Sequence, residues 1–105
     1  MNSWIALFLA GLFEISWAIG LKFSQGFSKL LPSVITVTGM IFSFVFLSIA
    51  LKKLPLSIAY AVWTGIGIAG TSILGIIFLQ ETVTISKIVL VSFILIGIVG
   101  LRLTN

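Results

Sequence analysis

The sequence predicts an all-α membrane protein with four transmembrane helices, and three observations carry that expectation. The 105 residues are 60% hydrophobic and only 8% charged, whereas about a quarter of a soluble domain is charged. The apolar residues fall into four runs, roughly 4–21, 32–51, 56–79 and 85–104, each apolar all round rather than along one stripe. At about 1.5 Å per residue, each run is long enough to cross a hydrocarbon core about 30 Å thick. The runs use most of the chain, so residues 1–105 read as a single four-helix transmembrane domain.

Span one, 4–21, carries the most informative residue. Glu14 stands mid-run between Phe13 and Ile15, near the centre of a bilayer. A charge at that depth costs at least about 2.5–3.5 kcal/mol on insertion scales, so a carboxylate there marks a proton site, a cation site or both. Helical spacing puts Gly11, Glu14 and Trp17 on one face, with Ala10 and Ala18 beside them. The plainer reading is a Glu that pairs with a polar neighbour and glues helices, but no Lys or Arg lies at mid-span to pair with it. The run lacks a basic flank and a small-residue cleavage site, so it reads as a span and not a signal peptide.

Lys22 to Lys29 joins spans one and two, and Pro32 falls where a helix start tolerates it. Span two, 32–51, has Ser43 near its middle with Gly39 and Met40 one turn before. A mid-span Ser commonly bonds its own i−4 carbonyl. The functional alternative is a donor that orients Glu14.

Lys52-Lys53-Leu54-Pro55 leads into span three, 56–79. Tyr60, Trp63, Thr64 and Gly67 lie along one face, where Trp63 can face a cation. An interfacial aromatic belt competes for Tyr60 and fits Trp4 well. Gly65 and Gly67 near mid-span are a candidate hinge, with close helix packing as the safer reading.

Gln80 to Thr84 joins the last two spans, and Thr84 or Ser86 is a candidate N-cap. Glu81 sits at the interface and reads as a solvated cap or headgroup contact. Span four, 85–104, carries Ser92, Gly97 and Gly100 among Ile, Val and Leu. It reads as an association helix, with Gly97 and Gly100 as a dimer contact.

All connections are short, so sequential helices run antiparallel. With the N-terminus on one side, Lys52, Lys53 and Arg102 share that side, against Lys22, Lys29 and Lys87 on the other. Three against three gives the positive-inside rule nothing to act on. Either one of these residues does not count, or the chain inserts both ways round. In the second case, copies of opposite orientation pair as an antiparallel, dual-topology homodimer, and one polypeptide supplies both inverted repeats of a transporter.

The sequence holds no Cys and no His. That removes thiolate chemistry, imidazole metal sites and Ser-His-Asp or Cys-His catalysis. No cofactor, no metal and no enzymatic activity are expected. The net charge of +4 is dispersed through short loops, as for interface lysines against a lipid bilayer and not for a nucleic-acid footprint. Glu14 is then the proton-active group. Desolvation favours the neutral form of a carboxyl group, which can hold a proton or neutralise a cation but not both. Mutually exclusive occupancy is the basis of exchange, and two Glu14 copies in one dimer would titrate as a coupled pair.

The chain resembles the small multidrug resistance transporters over essentially its whole length. The resemblance rests on four spans, the lone span-one Glu and the run Ala59-Tyr60-Ala61-Val62-Trp63-Thr64-Gly65-Ile66-Gly67. Glu14-Ile15-Ser16-Trp17-Ala18-Ile19-Gly20-Leu21-Lys22 is similar to the Trp-Ala-x-x-Leu-Lys signature of the guanidinium exporters within that family. Arg102 stands at the family's terminal Lys position and Ser16 where many relatives carry Val.

The resemblance implies a multi-pass protein of the bacterial inner membrane, a secondary-active antiporter that exchanges guanidinium for protons by alternating access. Glu14 would bind guanidinium and protons, with Trp17, Ser43 and Tyr60 orienting it through hydrogen bonds. Trp63 would line the site, Gly11 and Met40 would shape it, and Gly65 and Gly67 would let span three bend. Alkyl-substituted guanidinium or quaternary ammonium cations are further candidate substrates, which makes a multidrug exporter the nearest alternative. A non-transporting membrane subunit and a lipid-carrier flippase are the others.

Overall fold

The computed structural model describes residues 2–104; Met1 and Asn105, the ends of the expected unit, lie outside the described residues. It contains four α-helices, α1 (Ser3–Phe23), α2 (Leu30–Leu51), α3 (Leu56–Phe78) and α4 (Ile85–Thr104). All four are long and apolar enough to cross a membrane.

Their ends follow from local chemistry. The Asn2 side chain accepts a 2.7 Å hydrogen bond from the Trp4 backbone N–H and caps α1. Helix α1 runs on past the apolar run to Phe23, because Ser24 closes it rather than the first lysine. The Ser24 N–H donates to the carbonyls of Gly20 and Leu21, its hydroxyl donates to Leu21, and that oxygen accepts from the Phe27 N–H. The connection then turns through three residues with positive φ, Gln25, Gly26 and Phe27. Only Gly26 adopts that conformation without a Cβ penalty.

Pro32 is the third residue of α2, where its missing N–H has no intrahelical acceptor to lose. Thr84 caps α4 by accepting from the Lys87 N–H at 3.0 Å. Of the two candidate caps, Thr84 fills the role and Ser86 is already inside the helix.

Helices α1, α2 and α3 are all in mutual contact, with α1 making the most extensive crossings, and the backbone of α4 approaches only α3. The Cα envelope measures 40 × 34 × 17 Å, its narrow extent wide enough for two rows of helices about 8–10 Å apart. Small residues make the close crossings. Gly39 of α2 lies against Trp17, Gly11 of α1 against Ile66, and Gly20 of α1 against Thr36. Phe13 of α1 stacks on Phe42 and Phe46 of α2, with ring centroids 5.3 and 5.7 Å apart.

Ala6, Leu7, Ala10, Ala50, Ala59, Val62 and Trp63 make the small buried core. No residue of α4 is buried. Arg102 near its end lies 5.0 Å from the centroid of the Trp4 ring, which places the end of α4 beside the start of α1.

Candidate functional site

Glu14 is half-buried, about 17 Å along α1 from its first residue, and so close to the middle of the span. Its carboxylate lies directly against Gly67 of α3: a Cβ on Gly67 would collide with the carboxyl carbon and both oxygens. One turn earlier, Gly11 gives Ile66 the same access, its Cβ position falling 2.9 Å from that of Ile66. The polar contact in this close crossing is therefore a carboxylate against bare helix backbone. The Glu14 Oε1 atom is buried and has no hydrogen-bond partner among the described residues. Two other buried polar atoms share that condition, the Trp17 Nε1 and the Thr64 Oγ1.

A buried hydrogen-bond relay links α3, α2 and α1 beside Glu14. The Trp63 indole N–H on α3 donates to the Ser43 hydroxyl on α2 at 2.9 Å. That hydroxyl donates to the Ala10 carbonyl on α1 at 2.8 Å. Ser43 is fully buried and Trp63 nearly so. In a regular helix the carbonyl of Ala10 is the acceptor for the backbone N–H of Glu14. Ser43 therefore grips the turn that carries the carboxylate. Its hydroxyl bonds neither its own helix nor the Glu14 side chain, because the rotation of α2 aims it at α1 one turn below.

The remaining expected site residues take different positions. Trp17 turns its Cβ onto Gly39, and its indole N–H stays unpartnered three residues beyond Glu14. Met40 is half-buried next to Gly39. Tyr60 is 56% exposed and tilts against Trp63 at 5.6 Å between centroids. It stands on the open face of the chain, and within one chain its hydroxyl makes no bond to Glu14.

Gly65 packs beneath Ile98 and Ile94 of α4, and α3 is helical through both Gly65 and Gly67. Around Gly97 and Gly100 no atom lies close enough to touch an added Cβ, so that stretch of α4 is open. Sequence reading placed Thr64 on the right face of α3 but assigned it nothing. Its signal, a hydroxyl with no helical partner, exists only in three dimensions.

Glu81 behaves differently. Its carboxylate packs over Gly75, and its Oε1 lies 3.4 Å from the Lys87 ammonium in a half-exposed ion pair. Among the described residues it is the one salt bridge, and no group of His, Cys, Asp or Glu could hold a metal ion.

The arrangement at Glu14 suits one chemistry. An unpaired carboxylate surrounded by apolar side chains is neutralised either by a proton or by a bound cation.

The chain is matched over residues 2–96 by the family model described as "Small Multidrug Resistance protein". It is 52% identical over 103 residues to proteins named "Guanidinium exporter" in Yersinia pestis, Proteus vulgaris and Escherichia coli (strain K12). Each alignment covers 98% of this chain and 98 or 99% of the relative.

Proposed function

We propose, for a chain that belongs to the small multidrug resistance family, that it exports guanidinium in exchange for protons. It is a multi-pass protein of the bacterial inner membrane. The observation that carries the proposal is the Glu14 carboxylate, mid-span, seated on Gly67, with a buried oxygen that has no hydrogen-bond partner among the described residues. Guanidinium is planar and presents parallel N–H donors that fit a carboxylate fork. The face of Trp63 adds cation–π attraction once the cation has left water.

A proton on Glu14 removes the charge that holds guanidinium. Guanidinium on Glu14 displaces the proton. Export of one cation is thereby tied to entry of protons, with no nucleotide and no metal involved. Gly65 and Gly67 are the positions where α3 would bend as the site changes side.

The Glu14 side chain is only half-buried within one chain. The unburied α4, the open stretch at Gly97 and Gly100, and the outward Tyr60 support a second copy as the opposite wall. The even split of basic residues between the two ends supports its opposite orientation. Two Glu14 side chains would then share one binding site.

The test is guanidinium-driven proton movement in liposomes holding the purified protein, with Glu14→Gln as control. A pH change with the native protein and none with E14Q is expected. Transport by E14Q against a proton gradient would end the exchange mechanism. Silence with guanidinium but a response to a tetra-alkylammonium would move the protein to the multidrug reading. In the native protein, lowering pH should raise the guanidinium KM, because protons and the cation compete for one carboxylate.

A further inference from the structure

Thr64 carries a second signal that the exchange mechanism does not use. Several helix-interior hydroxyls in this chain bond their own backbone. Thr36, Thr71, Ser92 and Thr104 each donate to the carbonyl four residues back, at 2.7 to 2.9 Å. That back-bond is the ordinary fate of a hydroxyl inside a helix. Thr64 departs from it: its Oγ1 is buried with no partner among the described residues. A buried, unsatisfied hydroxyl is costly, and its neighbourhood tells what would relieve it. Thr64 precedes Gly67 by three residues on the continuous helix α3, about 4.5 Å along the axis. Gly67 is the residue on which the Glu14 carboxylate rests.

The hydrogen-bonding inventory then narrows the role. Guanidinium carries N–H donors around its whole edge, and a carboxylate fork takes only one side of it. The indoles of Trp17 and Trp63 are donors and can accept nothing. Ser43 already donates to Ala10 and accepts from Trp63. Tyr60 is mostly exposed on the open face. The unspent buried hydroxyl near the carboxylate is Thr64.

We propose that Thr64 is a specificity contact of the cation site: its hydroxyl accepts an N–H from guanidinium held at Glu14. The proposal rests on the guanidinium reading of Glu14. It deepens that reading by separating cations that carry N–H groups from those, such as tetra-alkylammonium, that carry none.

The experiment compares Thr64→Val, Thr64→Ser and the native protein in reconstituted liposomes. Guanidinium-coupled proton flux is read as separate kcat and KM values, on preparations shown to be monodisperse by size-exclusion chromatography. Thr64→Ala replaces the valine variant if the latter aggregates. The expected result is a guanidinium KM raised about tenfold in T64V, the weight of one ordinary hydrogen bond, with kcat little changed and T64S within about twofold of native. An unchanged KM in T64V would overturn the proposal. So would a fall in kcat alone, which would mean that position 64 governs the conformational step. Equal losses in T64V and T64S would also overturn it, by showing that packing and not the hydroxyl matters. Native protein that moves no guanidinium would remove the export reading itself, and the contact with it, a result distinct from a variant that matches an active native protein.

Discussion

The chain has two carboxylates, and α3 offers each of them a glycine to lie on. Glu14 rests on Gly67 and Glu81 on Gly75, eight residues or about 12 Å further along the same helix. Everything else differs. Glu81 is half-exposed and has Lys87 beside it, so its charge is met by a neighbour and by water. Glu14 is in the middle of the span with a buried oxygen that has no hydrogen-bond partner among the described residues. The same contact, carboxylate on bare helix backbone, is at one end of α3 a solvated loop anchor. At its middle the carboxylate has no counter-charge among the described residues. What separates the two is therefore the counter-charge and not the side chain.

Six substitutions press on that contrast, beginning with the largest expected effect. Replacing Glu14 by Gln should abolish coupled exchange in the liposome assay, while Glu81→Gln should leave it near the native rate. Next, Gly67→Ala drives a methyl into a carboxylate hemmed in by two helices. Overpacking of this kind costs about 1–3 kcal/mol, measurable by denaturant unfolding in detergent, and transport should fall with it. The matching Gly75→Ala meets a carboxylate on a loop that can swing aside, so its cost should stay within about 0.5 kcal/mol. Similar costs for the two glycine variants would show that burial at Glu14 is not what sets it apart.

Third, Ser43→Ala removes the middle of the relay and strands the buried Trp63 N–H. That should destabilise by about 1–3 kcal/mol, more than Trp63→Phe costs through the lost hydrogen bond alone. A double-mutant cycle of the two checks it by showing coupling. Smallest, E81Q should change stability by no more than about 1 kcal/mol, the usual worth of an exposed pair. That difference should shrink further as salt is raised.

The outline of this molecule was legible because hydropathy and turn chemistry are local. Four apolar runs announced four helices, and Thr84 could be proposed as a cap from its own position in the chain. The ends were less so: α1 reaches Phe23 because Ser24 folds back on Gly20 and Leu21, a detail no run of apolar residues reveals. Within the site, Glu14 stood out by cost alone.

The partners of its neighbours did not, because they depend on how each helix is rotated about its axis. Ser43 had two plausible acceptors in the sequence, its own backbone and Glu14, and it bonds a third, the Ala10 carbonyl. Gly67 invited a hinge reading, yet its lack of a side chain is also what gives the Glu14 carboxylate room. Thr64 looked like any helical threonine until its back-bond proved absent.

The unburied helix α4 has an evolutionary consequence under the proposed pairing. If a second copy of the same chain, inverted, completes the site, every codon change is written into both halves at once. No single substitution can then favour the inward-facing over the outward-facing form, since the two are one structure seen from opposite sides of the membrane. Directional bias would have to come from the proton gradient, or from the gene splitting into two copies free to diverge.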